Sequence, residues 1–114
     1  MGFRTNAISK NAASMMEPGE EIAEMAIVRA HDGGTNYAVA ATPKNVYVFS
    51  LAGLAFGKVN ERVAKIPIRK ATVEQRSSVL VVARRGAGEP ERHVFLTLPG
   101  GGPKRLAAYV TGRG

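Results

Sequence analysis

From residue 21 to residue 98 the apolar positions fall in short stretches punctuated by glycine, proline, asparagine and aspartate, the spacing of strands rather than long helices. The clearest case is Tyr37-Ala-Val-Ala-Ala-Thr-Pro-Lys-Asn-Val-Tyr-Val-Phe-Ser50, two apolar runs joined at Thr42-Pro43-Lys44-Asn45. Proline fixes its own φ and pushes Thr42 towards extended geometry, so the two runs predict a β-hairpin. Upstream, residues 21–29 fit a helical face through Ile22, Met25 and Ala26, but the β-branched pair Ile27-Val28 before the turn cluster 31–35 favours a strand. Downstream, residues 62–68 alternate Ala64, Ile66 and Ile68 with Val63, Lys65 and Pro67, and Pro67 predicts an edge or a bulge. Strands are also predicted over 71–76 and 78–84. The unbroken run Val79-Leu80-Val81-Val82 has the pattern of a strand covered on both sides. In the last strand, 92–98, the alternation places Val94, Leu96 and Leu98 inward and His93, Phe95 and Thr97 outward. Pro103 then suits the first position of a helix running to about residue 111, with Leu106, Ala107 and Val110 on one face. Seven antiparallel strands and one amphipathic helix predict a mainly β fold, a small barrel or sandwich with a helical cap.

Residues 1–16 carry Phe3, Ala7, Ile8, Ala12, Met15 and Met16 at loose helical spacing, a weak helix or a flexible arm. Glu17-Pro18-Gly19-Glu20 breaks that pattern, which sets the expected division into an arm, 1–16, and a barrel domain, 17–114. A chain of 114 residues is sufficient for one core. No apolar run reaches the roughly 20 residues that span a bilayer. The opening Met1-Gly2-Phe3-Arg4-Thr5-Asn6 has neither an apolar signal core nor the Ser or Thr of a myristoylation motif. The expectation is a cytoplasmic, unlipidated protein. The absence of cysteine excludes disulfides, thiolate metal sites and cysteine nucleophiles.

Charge is unevenly distributed. The net charge is +7, yet residues 1–43 hold three basic and five acidic side chains, and residues 44–114 hold thirteen basic and four acidic. The later strands are therefore the surface that suits an anionic partner.

The sequence gives little support to catalysis, a metal or a cofactor. His31 and His93 are far apart, and no nucleophile elbow, zinc-helix or phosphate-loop motif occurs. Pro99-Gly100-Gly101-Gly102-Pro103-Lys104-Arg105 has the logic of an anion site, with free N–H groups of Gly101 and Gly102 at a helix start beside Lys104 and Arg105. A flexible strand-to-helix connector with solvated side chains is the preferred reading of it, because glycine runs are common loop chemistry. The apolar loop 51–57 is more specific: Leu51, Leu54 and Phe56 either fold over an open barrel end or wait for a partner. Lys58, Arg62, Lys65 and Arg69 follow it, and a period of two puts Lys65 and Arg69 on one face. Nucleic-acid binding is the competing reading of the basic half, with Tyr47, Phe49, Phe95 and Tyr109 available for stacking.

Three phrases carry a family resemblance. Met16-Glu-Pro-Gly-Glu-Glu-Ile22 precedes the first strand, Val39-Ala-Ala-Thr42 ends the second, and Lys44-Asn-Val-Tyr-Val-Phe49 opens the third. With Ile66-Pro67-Ile68 in the next strand, the chain resembles the bacterial pleckstrin-homology-like (PH-like) domains over about residues 16–111. The resemblance implies a PH-like barrel of two bent, roughly orthogonal antiparallel sheets closed by the C-terminal helix, and binding or scaffolding instead of catalysis. Relatives that bind phosphoinositides cluster Lys and Arg around the first hairpin loop; here that loop is His31-Asp32-Gly33-Gly34-Thr35, with only Arg29 beside it. The resulting expectation is a module for a protein partner or a second copy of itself, through Leu51, Leu54, Phe56, Lys58, Arg62, Lys65 and Arg69. The alternative is a basic surface for nucleic acid or anionic lipid.

Overall fold

The computed structural model describes residues 3–32, 34–52, 58–86, 91–99 and 102–113. Helix α1 spans Phe3–Ala12, and the strands are β1 (Glu24–Ala30), β2 (Asn36–Ala41), β3 (Asn45–Ala52), β4 (Lys58–Pro67), β5 (Ala71–Arg76), β6 (Val79–Arg84) and β7 (Arg92–Thr97). Helix α2 spans Gly102–Arg113, and short 3-10 turns occupy Ala13–Met15 and Ile68–Lys70. All seven strands are antiparallel and form one sheet in the order β4-β3-β2-β1-β7-β6-β5. Because β4 and β5 are its unpaired ends, the sheet is not closed.

The hairpin β2–β3 forms as its sequence predicts. Thr42 Oγ1 accepts hydrogen bonds from the backbone N–H groups of Lys44 (3.1 Å) and Asn45 (3.0 Å), and Thr42 N donates to the Asn45 carbonyl (2.8 Å). A threonine hydroxyl that takes two turn N–H groups does the work of a strand partner at the tip. Pro67 closes β4, an edge strand, where its missing N–H breaks no ladder. Two register shifts opposite Val48/Phe49 and Ser50/Leu51 bend β4, and Val63, lying at the first of them, is 42% exposed.

One face of the sheet curls around the main core. Ala26, Val28, Val39, Val46, Val48 and Ile66 from one half meet Val73, Leu80, Val82 and Phe95 from the other, with Leu106 and Val110 of α2 packed among them. A second cluster lies on the outer face of β2 and β3, where Ala40, Tyr47 and Phe49 are covered by Ala12, Met15, Met16 and Ile22. Tyr47 and Phe49 stack with ring centroids 5.6 Å apart. Ile8 and Ala12 of α1 are fully buried, so the N-terminal segment is packed against the sheet.

Three expectations are corrected. In β7 the inward residue is Phe95, 5% exposed and 5.1 Å from the Tyr37 ring, whereas Val94 and Leu96 are half-buried on the outside. The register explains this: Phe95 lies opposite Leu80, and side chains directly across a ladder share a face, so the core-facing Leu80 takes Phe95 inward with it. The alternation in β7 has the period of two but the opposite phase: Phe95 is inward although its face-mates His93 and Thr97 are polar, and the more apolar pair Val94 and Leu96 is outward. In β6, Leu80 and Val82 are buried while Val79 and Val81 are only half-buried; among the described residues the strand is covered on one side. Lastly, Lys65 and Arg69 do not share a strand face, because the strand ends at Pro67 and Arg69 sits in the 3-10 turn.

Candidate binding surfaces

The described residues among those singled out along 51–69 do not gather into one patch. Leu54 and Phe56 lie outside the described residues, and Leu51 is half-buried near the end of β3. The ten residues of β4 rise roughly 3.3 Å each, so the exposed Lys58 stands about 30 Å from the end at which Arg69 sits. Between them, Arg62 and Lys65 hold the N-terminal segment. Arg62 Nη1 donates to the Met15 carbonyl at 3.2 Å, and Lys65 Nζ lies 3.1 Å from Glu17 Oε1.

That contact continues into a polar network no sequence signal identified. Glu20 is its centre. Its carboxylate accepts hydrogen bonds from the hydroxyls of Thr42 and Tyr47, from Asn45 Nδ2 (3.0 Å) and from the Glu17 N–H (3.1 Å). Asn45 Nδ2 also reaches Glu17 Oε2 at 3.1 Å. Burial would raise the Glu20 carboxyl, but the four donors outweigh it and the net movement is downward from 4.5. Glu17 is also lowered, by its hydrogen bonds from Lys65 first and Asn45 next. Burial, reinforced by the bond to Glu20, pushes the Tyr47 phenol up to about 12. The arrangement locks a neutral phenol to an ionised carboxylate and so fastens residues 17–20 to the β2–β3 turn. The legible part of it was Glu17-Pro18-Gly19-Glu20; that its two acids point at Thr42, Asn45 and Tyr47 depends on pairing across 25 or so residues of chain.

The start of α2 is accounted for by packing. Gly101 lies outside the described residues. A Cβ on Gly102 would come within 3.2 Å of the Met25 carbonyl, a tight contact, so glycine eases the close approach of the helix start to β1. Lys104 and Arg105 are exposed, and Arg105 Nε lies 3.7 Å from Glu24 Oε2. Nor do the four candidate aromatics make a stacking platform among the described residues: Tyr47 and Phe49 are fully buried, Phe95 nearly so, and Tyr109 is half-buried with the Arg113 guanidinium over its ring at 5.0 Å. In the first hairpin loop, Asp32 Oδ1 accepts the Gly34 N–H at 2.9 Å, so its acid serves the turn.

A cationic surface lies where three turns meet, the β2–β3 turn among them. The Ile68 N–H donates to the Lys44 carbonyl (2.9 Å) and the Arg85 N–H to the Lys70 carbonyl (2.7 Å). Arg85 Nη2 donates to the Arg69 carbonyl (2.8 Å), which fixes its guanidinium beside the 3-10 turn. Lys44, Arg69 and Lys70 line a cleft of about 390 Å³ floored by Pro43, Pro67 and Ile68. Lys44, Arg69, Lys70 and Arg85 are all exposed, and among the described residues none of them forms an ion pair. Neighbouring Arg84 is different, since its Nε is 3.2 Å from Glu91 Oε1. The Glu91 carboxyl is held below its ordinary range by the hydrogen bond from His93 first, against a smaller opposing effect of burial, with Arg84 adding to it. Of these four cations only Arg69 was anticipated, because Lys44, Lys70 and Arg85 are brought together by three separate turns.

Among the described residues there is no group of three or more His, Asp or Glu side chains able to hold a metal ion, and no helix long and apolar enough to cross a membrane. No family model matches the chain, and no curated protein matches it.

Proposed function

We propose that this chain is a non-enzymatic binding module of the PH-like type, its single sheet bent into two roughly orthogonal halves capped by α2, and that it binds an acidic protein partner. The observation that carries this reading is the ledge of Lys44, Arg69, Lys70 and Arg85, four exposed cations with no carboxylate within ion-pair distance among the described residues. Confining like charges to one place raises their mutual repulsion, and an anionic partner relieves it. Two arginines add planar forks suited to carboxylates, one of them already oriented by the Arg69 carbonyl. A protein is favoured over single-stranded nucleic acid because, of the four aromatics available for stacking, Tyr47, Phe49 and Phe95 are buried and Tyr109 is half-buried beneath Arg113.

The test is calorimetric titration with a glutamate-rich peptide, compared with an oligonucleotide and with anionic vesicles. The double variant Lys44→Glu/Lys70→Glu is expected to weaken peptide binding at least about tenfold, equivalent to about 1.4 kcal/mol, with unchanged thermal stability. Undiminished peptide affinity in that variant, or tighter binding of the oligonucleotide or vesicles, overturns the reading.

A further inference from the structure

The outer face of β6 and β7 is apolar, and neither core cluster of the described residues extends over it. Val79 lies opposite Leu96, and Val81 opposite Val94, so these four side chains form a block of two cross-strand pairs on the face away from Leu80 and Phe95. All four are half-buried, and none belongs to either core cluster. The contrast with the other half of the same sheet is instructive. There the outer apolar residues Ala40, Tyr47 and Phe49 are covered by the N-terminal segment, and nothing among the described residues does the same for β6 and β7. A strand apolar on both faces is the pattern of one buried on both faces, and here one cover is missing.

The surroundings of this face state the chemistry of its occupant. Arg29 lies opposite Leu96 on one side, Arg76 opposite Val79 on the other, and Arg92 opposite Ala83 along the strand. All three are exposed. The acid within this frame is Glu74, opposite Val81, and it is already 3.6 Å from Arg76. Arg29 and Arg92 have no ion-pair partner among the described residues. A second copy of the chain would set one arginine frame against another, on two bodies of net charge +7 each.

We infer that the outer face of β6 and β7 is a docking surface for an acidic amphipathic segment of a partner protein, its apolar side chains on Val79, Val81, Val94 and Leu96 and its carboxylates on Arg29 and Arg92. Arg92, opposite Ala83, stands two residues along β6 from Arg85, so the frame borders the ledge of Lys44, Arg69, Lys70 and Arg85, while Val79, Val81, Val94 and Leu96 lie farther along the ladder.

The experiment is a display selection from a random peptide library against the intact protein, with Val81→Lys as the counter-selection. Amide-resolved NMR titration of a winning peptide follows. Val81 points outward, so the lysine is tolerated by the fold, and a thermal melt confirms it; Leu96→Gln serves as a second variant. The expected winners alternate apolar residues with Asp or Glu, perturb the amides of 79–82 and 93–97, and lose at least tenfold in affinity for both variants while binding Lys44→Glu/Lys70→Glu undiminished. Basic or neutral winners, winners that map elsewhere, or no winner that distinguishes Val81→Lys overturns the proposal. So does a dimer of the protein that Val81→Lys dissolves, which would make the occupant a second copy. Undiminished binding of the glutamate-rich peptide to Lys44→Glu/Lys70→Glu overturns the ledge alone, whereas undiminished binding of a winning peptide to the same variant supports the β6–β7 face.

Discussion

Replacing Tyr47 by phenylalanine removes one oxygen from a fully buried side chain and leaves the ring, its stacking on Phe49 and the surrounding packing in place. What is lost is the phenol's hydrogen bond to the Glu20 carboxylate and its acceptance of the Glu17 N–H at 3.2 Å. A hydrogen bond to a charged group is worth about 1.5–3 kcal/mol. Glu20 keeps its bonds from Thr42, Asn45 and Glu17, so the lower part of that range applies, about 2 kcal/mol. With an unfolding entropy of ~2.1 cal/mol/K per residue, a chain of this length loses about 4 °C per kcal/mol, hence about 8 °C in Tm. The penalty depends on pH in a stated direction. The Glu20 pKa in the folded protein lies below its unfolded value of 4.5, so the stability it contributes is present above that value and lost as pH falls through the folded pKa. Phenylalanine at 47 removes one of the donors that depress it. The gap between the two proteins is therefore widest near neutrality and narrows in acid. Urea denaturation of both proteins from neutral pH down to about pH 3 measures this directly. A difference under about 0.5 kcal/mol at neutrality, or one of constant size across the range, refutes the claim that the phenol is bonded to an ionised carboxylate.

Phe95→Ala is expected to cost about 3–5 kcal/mol as a core truncation, and Leu96→Ala under about 1 kcal/mol; equal costs in chemical denaturation would restore the opposite phase of β7. In a spectrophotometric alkaline titration one of the three tyrosines should ionise only near pH 12, and Phe at position 47 should abolish that step. Since the folded pKa of this phenol is the raised one, its contribution to stability is complete below the unfolded value of 10.0 and disappears as pH climbs towards 12. Ile8→Asp should undock α1 from the sheet, destabilising the fold by about 2–3 kcal/mol for the lost burial and opening residues 9–20 to limited proteolysis; resistance equal to wild type would show that α1 is not held by Ile8.

The strands of this protein were legible because each is short, bounded by turn chemistry and written with β-branched and aromatic residues. Thr42-Pro43-Lys44-Asn45 specified its turn locally, through a hydroxyl two and three residues from the amides it accepts. Pro67 likewise announced an edge, because a residue with no N–H has few other places in a sheet. The helix at the C-terminus was visible in its proline start and the spacing of Leu106 and Val110. Sequence also separated the acidic N-terminal part from the basic remainder.

Only the tertiary structure decided which face of each strand is inside. In β6 both phases are apolar and alternation carries no phase, and in β7 the more apolar phase, Val94 and Leu96, is the outer one, because the choice falls to the residue across the ladder: Leu80 faces the core and brings Phe95 with it. The same is true of the surfaces. Lys44, Lys70 and Arg85 belong to three different turns, and Glu20 and Tyr47 to segments 27 residues apart. Pattern along a chain records neighbours in sequence, whereas a binding surface is made of neighbours in space, and strand order and register convert one into the other.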